Sequence, residues 1–317
     1  MEVERFAPHA RLEWDQFVES SKNGSFLFLR DYMDYHADRF TDHSLVIRRR
    51  TDGPLLALLP ASRRGDVVES HGGLTYGGVV SAPSMTAGTM IEVLGAVRSC
   101  LQRDAIEILR YRAIPHIYHR IPAEEDLYAL VRLGARLVQR SALAVVHRRG
   151  TPVTPQTRRQ RGVRKALAAG LRCSESEDLA GYWDLLSQVL LDTYGAKPVH
   201  TIEEISSLRR ALPRNIRLFV AHAGTTMLAG VLVYETPTVA RAQYIAAAPA
   251  GRRCAALDLL FDYLVHEVFA GKDFIDLGSS EGGAAGGLNA GVMEYKESLG
   301  ARTVVQDTYE LPITAAG

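Results

Sequence analysis

Apolar and polar residues alternate along the chain in a pattern that predicts two successive sets of helices and strands. In the first half, apolar residues at the helical period predict helices over 12–20, 86–103 and 126–133. Extended apolar runs bounded by turn residues predict strands at 25–29, 43–49, 55–61, 67–70, 74–80, 105–112 and 142–147.

The second half repeats this order of elements. Helices are predicted over 161–169, 179–194, 201–211, 255–269 and 292–299, and strands over 216–222, 227–235, 239–248, 274–277 and 303–310. A capping box, Thr201 followed by Glu204, begins the third of these helices. The doubled order predicts an α+β fold of two tandem modules, each a mixed, mostly antiparallel sheet flanked by helices.

A polar segment separates the two sets. Residues 147–161 carry two prolines and no hydrophobic period, which is typical of a linker. A length of 317 residues also favours two domains. We therefore predict an N-terminal module over 1–150 and a C-terminal module over 151–317.

Composition and charge narrow the classes of protein. A net charge of +1 excludes a protein whose overall field drives it onto nucleic acid or membrane. Three widely separated cysteines, Cys100, Cys173 and Cys254, make neither a disulfide framework nor a zinc site and fit a reducing compartment. The acidic start is unlike a signal peptide, and no apolar run reaches the roughly 18 residues of a membrane span. We expect a cytoplasmic enzyme without membrane insertion.

The most informative stretch is the turn between the strand at 239–248 and the helix at 255–269. A helix N-terminus offers backbone amides to an anion, Arg252 and Arg253 add positive charge, and small residues follow at 254–256. This pattern favours either a diphosphate site or an ordinary turn with solvated arginines. Neither a Walker motif nor the dinucleotide fingerprint is present.

The same turn resembles the phosphate-binding turn of the GNAT superfamily of acyl-CoA-dependent N-acyltransferases. That turn usually reads Arg/Gln-x-x-Gly-x-Gly/Ala; the stretch 252–256 keeps the basic start and the small end but lacks the middle glycine. Downstream, the stretches 274–278, 288–291 and 293–300 resemble the ending of Fem-type proteins, which pair two GNAT-like folds in one chain.

Much of the rest of the chain is similar to a narrower branch, often found in sets for surface polysaccharide assembly. The similar stretches are 14–18, 21–27, 32–40, 71–78, 114–119, 122–127 and 197–201. The resemblance implies transfer of an acyl group from acyl-CoA to the amine of a nucleotide-linked aminodeoxy sugar. The wider Fem-type group instead uses aminoacyl-tRNA to extend a peptidoglycan bridge.

The resemblance also implies a set of donor-binding residues in the C-terminal module. The strand would hold the pantetheine arm, the turn would receive the diphosphate, and a lysine after the glycine-rich loop at 279–287 would touch the phosphates or the pantetheine carbonyl. These residues are Tyr244, Ile245, Ala246, Ala247, Gly251, Arg252, Arg253, Cys254, Ala255, Ala256 and Lys296.

Polar and glycine-rich loops supply the acceptor candidates, with the N-terminal module on the acceptor side. His116 and His119 lack a recognised metal spacing, so we predict no metal and favour a sugar-nucleotide pocket over a plain proline-capped loop. The glycines at 72–78 leave room either for a ligand or for a bulged hairpin. The candidates are Lys22, Asn23, His71, Tyr76, Gly77, His116, Tyr118, His119 and Lys197.

His200 is the first candidate for the proton acceptor, because a histidine titrates near neutral pH, at an ordinary pKa of about 6.5. The alternative is that His200 only packs against the turn at Pro198. Glu281 in the glycine-rich loop is the second candidate, although that loop also fits a plain surface role. The basic stretch 156–165 would neutralise a diphosphate, steer RNA or simply be solvated.

Two further interpretations remain open. One is a transferase that takes an amino acid from aminoacyl-tRNA, which would make tRNA a partner; near-neutral charge and the lack of a coiled-coil arm speak against it. The other is a non-catalytic protein that binds a nucleotide sugar, which the altered phosphate turn keeps in play. The sequence does not determine the oligomeric state.

Overall fold

The structure is a computed structural model that describes residues 1–149, 154–282 and 287–313. The chain divides into two units, one formed by Met1–Ser141 with Val305–Gly317 and the other by Ala142–Val304. The linker pattern places the division near 150, whereas the units part at Ser141, and the end of the last strand returns to the first unit. The end of the last strand is assigned to the first unit because it pairs with a strand of that unit, although the two are far apart in the sequence.

The first unit contains four helices and the strands of two sheets among its described residues. The helices are α1 (Arg11–Ser20), α2 (Arg30–Met33), α3 (Ala87–Arg103) and α4 (Glu125–Arg132). The strands are β1 (Glu2–Arg5), β2 (Thr41–Asp42), β3 (Leu45–Arg48), β4 (Leu55–Leu59), β5 (Ser62–Arg64), β6 (Val67–Glu69), β7 (Val80–Ser81), β8 (Ile108–Arg112) and the start of β9 (Arg136–His147).

One sheet of this unit has the order β1-β3-β4-β7, and the other contains β2, β5, β6 and β8. The last strand, β15 (Arg302–Pro312), pairs antiparallel with β8 through Thr308–Pro312. The apolar face of α3 packs on this frame, because Met90, Val93, Leu94, Val97 and Leu101 recur at the helical period and are buried.

The second unit holds the remaining helices and strands. The helices are α5 (Thr157–Ala168), α6 (Leu179–Tyr194), α7 (Ile202–Ala211), α8 (Pro249–Arg253), α9 (Ala256–Tyr263) and α10 (Ala290–Ser298). The strands are β10 (Arg172–Glu175), β11 (Ile216–Ala223), β12 (Thr226–Glu235), β13 (Val239–Ala247) and β14 (Phe274–Ser279), followed by the rest of β9 on the edge of β14.

Within this unit, β10 to β13 form an antiparallel meander, and β14 joins β13 in parallel. Apolar residues of β11, β12 and β14 form a core with α5, α9 and α10. The predicted α+β class with mostly antiparallel sheets is confirmed. The predicted bounds of α6 and the capping box at Thr201 and Glu204 are also observed.

Three predicted elements differ in the structure. The run at 25–29 contains a 3₁₀ turn, Phe26–Phe28, because all three side chains are buried by tertiary packing that does not require a strand. Of the predicted strand at 74–80, only Val80 lies in an observed strand, the two-residue β7 (Val80–Ser81). The predicted helix at 255–269 follows a separate one-turn helix, α8, and continues beyond α9 as a π turn, Leu264–Val268.

Candidate functional site

Strands β13 and β14 separate partway along their length. They pair in parallel only where Val239–Arg241 meets Phe274–Asp276, although β13 continues to Ala247 and β14 to Ser279. The other edge of β13 stays paired with β12 along Ala229–Glu235. Beyond Arg241, the β14-side edge of β13 therefore offers backbone groups to a ligand; we call this opening the β13–β14 fork.

A β-bulge lies on β13 inside the fork. Leu232 pairs with Tyr244 and Val233 pairs with Ala242, so Gln243 has no opposite residue on β12. A bulge bends its strand and takes the extra residue out of the ladder. The predicted donor-binding residues Ile245, Ala246 and Ala247 remain paired with β12 directly after the bulge.

A buried ion pair stands at the point where the strands separate. Arg241 Nη1 lies 2.5 Å from Asp276 Oδ2, and the Asp276 side chain is fully buried. Its other oxygen, Oδ1, accepts a hydrogen bond from the Gly278 amide at 2.7 Å. Gly278 has φ +75°, a conformation that favours glycine. The pair therefore shapes the end of β14.

Lys296, on α10, brings an ammonium group to that same end of β14. Its Nζ donates to the carbonyl oxygens of Gly278, at 3.1 Å, and Ser279, at 2.6 Å. Burial lowers the pKa of Lys296 to about 8, the negative charge of Asp276 acts in the opposite direction, and Arg241 lowers it further. A lysine ammonium with a lowered pKa therefore lies beside the β13–β14 fork.

The predicted diphosphate turn consists of α8 and its junction with α9. Gly251 is buried, and a Cβ there would lie 2.1 Å from the Leu228 carbonyl oxygen, so packing against β12 requires this glycine. Ala255 adopts φ +60° and begins α9. Arg252 and Arg253 are exposed and have no ion-pair partner in the described part of the chain.

Cys254 and Ala256 have structural contacts in the same junction. The Cys254 thiol donates to the Ala250 carbonyl at 3.2 Å, and Ala256 is fully buried in the core of the second unit. The anion-attracting groups of this turn are therefore Arg252 and Arg253 together with the backbone at the start of α9.

His200 lies at the wall of a groove between α6 and the start of α7. The groove has a volume of about 600 Å³, and we call it the α6–α7 groove; its lining residues are Trp183, Asp184, Ser187, Gln188, Leu191, Lys197, Pro198, His200, Thr201, Ile202 and Glu203. His200 is buried, and its Nδ1 lies 2.5 Å from the Tyr244 hydroxyl on β13. Burial raises the pKa of Tyr244 to about 12, so that hydroxyl stays protonated near neutral pH.

Trp183 stabilises this contact, with its ring centroid 5.2 Å from that of Tyr244. His200 and Trp183, which line the groove, thus contact Tyr244, the residue after the bulge on β13. Lys197, in contrast to His200, is exposed.

Lys22 and Asn23 are buried inside the first unit. Lys22 Nζ lies 2.5 Å from Glu125 Oε1 and donates to the Met85 carbonyl at 3.4 Å. The Asn23 side chain donates to the Val79 carbonyl and accepts from the Ser81 amide. Both side chains therefore have structural contacts, and their role as ligand contacts stays a prediction.

Three further candidates, Tyr76, Tyr118 and Gly77, also have structural contacts inside the first unit. The buried Tyr76 hydroxyl donates to Ser25 Oγ at 3.0 Å, and its ring centroid lies 4.4 Å from that of Tyr118. A Cβ on Gly77 would lie 1.5 Å from the Ser70 carbonyl oxygen, so this glycine serves chain packing.

The three histidines differ in exposure. His116 is exposed, His119 is half-buried and His71 is buried. Burial lowers the pKa of His71 and of His119 to about 4 in each case. Both therefore stay neutral at physiological pH.

Glu281 is exposed at the start of the glycine-rich loop and forms an isolated β-bridge with Leu288. Residues 283–286 of that loop lie outside the described residues. Within the described ranges, no group of three or more His, Cys, Asp or Glu side chains is placed to bind a metal. No helix within those ranges combines the length and apolar character that crossing a membrane requires.

Several residues of the site were missed by sequence reasoning. Arg241, Gln243 and Trp183 have no motif that marks them. Asp276 lies within the stretch 274–278 that resembles Fem-type proteins, so that stretch was the one available signal.

Comparison with known proteins agrees with this architecture. Residues 156–297 match the family model described as acetyltransferase (GNAT) domain. No curated protein matches the sequence.

Among solved structures, FemX is 13% identical with a TM-score of 0.68, covering 97% of each chain. A tandem GNAT protein from the clavulanic acid biosynthesis pathway, solved without AcCoA, is 12% identical with a TM-score of 0.54, covering 100% of this chain and 99% of that one. L-PGS from Bacillus licheniformis is 12% identical with a TM-score of 0.61, covering 99% of this chain and 94% of that one. The predictions of a two-module GNAT fold and of an N-acyltransferase enzyme are confirmed.

Proposed function

We propose that this chain transfers an acyl group from acyl-CoA to the amine of a nucleotide-linked aminodeoxy sugar. The match of residues 156–297 to the acetyltransferase (GNAT) domain and the two-module GNAT fold support this proposal. The observation that carries the proposal is the β13–β14 fork, with the Lys296 ammonium held at the end of β14. An extended pantetheine arm has amide groups that pair with such an open strand edge.

The reaction needs no co-reactant beyond donor and acceptor. The neutral amine nitrogen attacks the thioester carbonyl carbon, so a C–N bond forms and the C–S bond then breaks. The amine loses one proton, and the departing CoA thiolate takes one up. The protein has to orient the two reactants, stabilise the oxyanion and accept the proton.

Lys296 is suited to the oxyanion. An ammonium has three N–H donors, and two of them are used by the carbonyl oxygens of Gly278 and Ser279. The third donor would bind the thioester oxygen as negative charge develops there. The Arg241–Asp276 pair acts as a positioning element, because it shapes the Gly278 turn that Lys296 contacts.

Arg252 and Arg253 are assigned to the donor diphosphate, together with backbone amides at the start of α9. Both side chains are exposed and lack ion-pair partners among the described residues, so neither has to break a contact to bind phosphate. Arginine also matches phosphate geometry well.

His200 is assigned to proton transfer through its contact with Tyr244. The Nδ1 of His200 and the Tyr244 hydroxyl lie 2.5 Å apart, within hydrogen-bonding distance of each other. A neutral His200 would take up the amine proton on its unprotonated ring nitrogen. Glu281 remains the second candidate, as an exposed carboxylate near the end of β14.

One observation favours aminoacyl-tRNA as an alternative donor. The outer face of α5 carries Arg161, Arg164 and Lys165, which are exposed and have no ion-pair partner in the described ranges. Such a face would attract RNA phosphates. Because the fold is also similar to that of FemX, the experiment below includes aminoacyl-tRNA as a donor.

The test supplies the purified full-length protein with acetyl-CoA and a panel of nucleotide-linked amino sugars. CoA release and the N-acylated product are followed by mass spectrometry, with a Lys296→Met variant as the inactive control. We expect product with at least one amino sugar and none with its N-acetylated counterpart. Transfer from aminoacyl-tRNA with none from acyl-CoA would replace the proposal, and binding of a nucleotide sugar without turnover would favour a non-catalytic role.

A further inference from the structure

The α6–α7 groove contains three charged side chains that pair with nothing in the described part of the chain. Asp184, Lys197 and Glu203 all line the groove and are exposed, and none has an ion pair or hydrogen bond with a described residue. Elsewhere in the same unit, Arg217 bridges Glu175 and Glu235. The groove therefore presents two negative charges and one positive charge to whatever enters it.

The walls between these charges are largely apolar. Trp183, Leu191 and Pro198 line the groove beside them. A volume of about 600 Å³ falls within the range of small-molecule sites, roughly 300–1,000 Å³. The space thus fits a compact polar molecule with an apolar face, such as a sugar ring, rather than an extended chain.

The groove also leads toward the proposed reaction centre. His200 belongs to its lining, and the Tyr244 hydroxyl that binds His200 lies on β13 directly after the bulge. Only the side chains of His200 and Tyr244 therefore lie between a molecule at this wall of the groove and the strand that would hold the thioester.

We propose that the α6–α7 groove selects a zwitterionic acceptor, with Asp184 and Glu203 holding its ammonium group and Lys197 holding an anionic group such as a phosphate. This inference rests on the proposed function and names the charge pattern that the acceptor must carry. Two carboxylates beside one lysine would repel the backbone of an RNA, so the groove is not a docking site for tRNA.

Isothermal titration of the full-length protein with three probes tests the charge pattern. Glucosamine 1-phosphate carries both charges, N-acetylglucosamine 1-phosphate lacks the ammonium, and glucosamine lacks the phosphate. We expect the first to bind about tenfold more tightly than either of the others, because each of them loses one of the two charge contacts. Equal dissociation constants for all three, or no binding of the first, would overturn the inference.

Charge-removing variants assign each contact. Asp184→Asn combined with Glu203→Gln should weaken binding of the two ammonium probes about tenfold and leave the N-acetylated probe unchanged, whereas Lys197→Gln should weaken only the two phosphate probes, about fivefold. Glu92→Gln and Arg132→Gln are matched controls, since both side chains are exposed and lie outside the groove. Dissociation constants that do not change in the groove variants would also refute the assignment.

The outcome is separable from that of the proposed function, because the titration needs neither acyl-CoA nor turnover. Acyl transfer from acyl-CoA with no charge selection would remove the groove assignment alone. Charge-selective binding without any acyl transfer would remove the proposed reaction and leave the groove assignment standing. The melting temperature of each variant checks that the fold is kept.

Discussion

At the scale of single residues, Lys296 is the side chain whose surroundings most affect the proposed chemistry. Its ammonium is held by two carbonyl oxygens, and burial lowers its pKa to about 8 while Asp276 opposes that shift. Because the ammonium is present below about pH 8 and lost above it, catalysis that depends on the ammonium should decline above that pH.

We expect Lys296→Met to lower kcat about 100-fold, as for loss of an oxyanion donor, with little change in the KM for acyl-CoA. In the wild type, kcat should fall above about pH 8. Asp276→Asn removes the negative charge that raises the pKa of Lys296, so the alkaline limb should move to lower pH. A pH–rate profile from 6 to 10 measures both effects, and a limb that stays in place in Asp276→Asn would contradict this role.

Gly251 provides a residue-scale test of packing. A Cβ there would lie 2.1 Å from the Leu228 carbonyl oxygen, which belongs to the backbone and cannot move aside cheaply. Gly251→Ala should therefore lower the free energy of unfolding by about 1–3 kcal/mol. Gly95→Ala is the matched control, because Gly95 lies within α3 with nothing within 4 Å of a new Cβ, and it should stabilise by about 0.5–1 kcal/mol. Denaturant unfolding of both variants measures the difference.

At the scale of elements, both parts of the proposed donor site lie on consecutive elements. The fork lies along β13, and the α8–α9 junction follows directly after that strand. β13 carries the open edge and the bulge, and its end leads directly into α8. A thioester donor bound along this connection would place its acyl end near the bulge and its diphosphate near α9. The two ends of the donor therefore depend on different elements and can be tested separately.

Replacing Arg252 and Arg253 together should weaken binding of the donor's diphosphate and leave the binding of its acyl end unchanged. We expect Arg252→Ala with Arg253→Ala to raise the KM for acyl-CoA by an amount equivalent to about 1–3 kcal/mol, the usual worth of charged hydrogen bonds, with kcat nearly unchanged. The matched control is Arg161→Ala with Arg164→Ala on the exposed face of α5. An unchanged KM in the first double variant would place the diphosphate elsewhere, and a larger effect in the control would place it at the basic face of α5.

At the scale of the whole molecule, buried histidines make stability depend on pH. Burial lowers the pKa of His71 to about 4, and it is also the main reason that the pKa values of His43 and His119 fall to about 4. An unfolded chain protonates its histidines below about pH 6.5, whereas the folded chain resists until about pH 4. Stability from keeping them neutral is therefore complete above pH 6.5 and is lost as the pH falls toward 4.

Asp126 acts in the opposite direction, because burial raises its pKa to about 6, so its protonation below pH 6 favours the folded state. Three histidines outweigh one carboxyl, and we expect the melting temperature to fall between pH 7 and pH 5. His71→Asn should make that fall shallower: it removes one titrating group and tolerates the φ of +61° found at this position. Thermal unfolding across this pH range gives the result, and a flat profile in the wild type would be inconsistent with buried neutral histidines.

Much of the fold could be predicted because its signals are local. The bounds of α6, the capping box of α7 and the antiparallel run from β11 to β13 follow from periodicity and from residues within a few positions of each other. The predicted strand at 25–29 was wrong because its apolar residues report burial, and a buried 3₁₀ turn has the same composition.

The candidate site was predicted less completely, because its properties depend on contacts between distant residues. Resemblance and residue type identified Lys296, His200 and the turn at 251–256, but not the Arg241–Asp276 ion pair, which joins residues 35 positions apart. Likewise, nothing in the stretch around Lys22 shows that its ammonium pairs with Glu125 inside the first unit.

By itself, the sequence determined the class of fold and the doubled order of elements, since both depend on local pattern, and it indicated the acyltransferase type through resemblance to known proteins. Only the tertiary structure decided where β13 and β14 separate, which polar side chains are buried in internal contacts, and how far the pKa of Lys296 is lowered. These properties arise from desolvation and from charges and carbonyl groups that folding brings together, and the linear spacing of residues does not encode them in any local form.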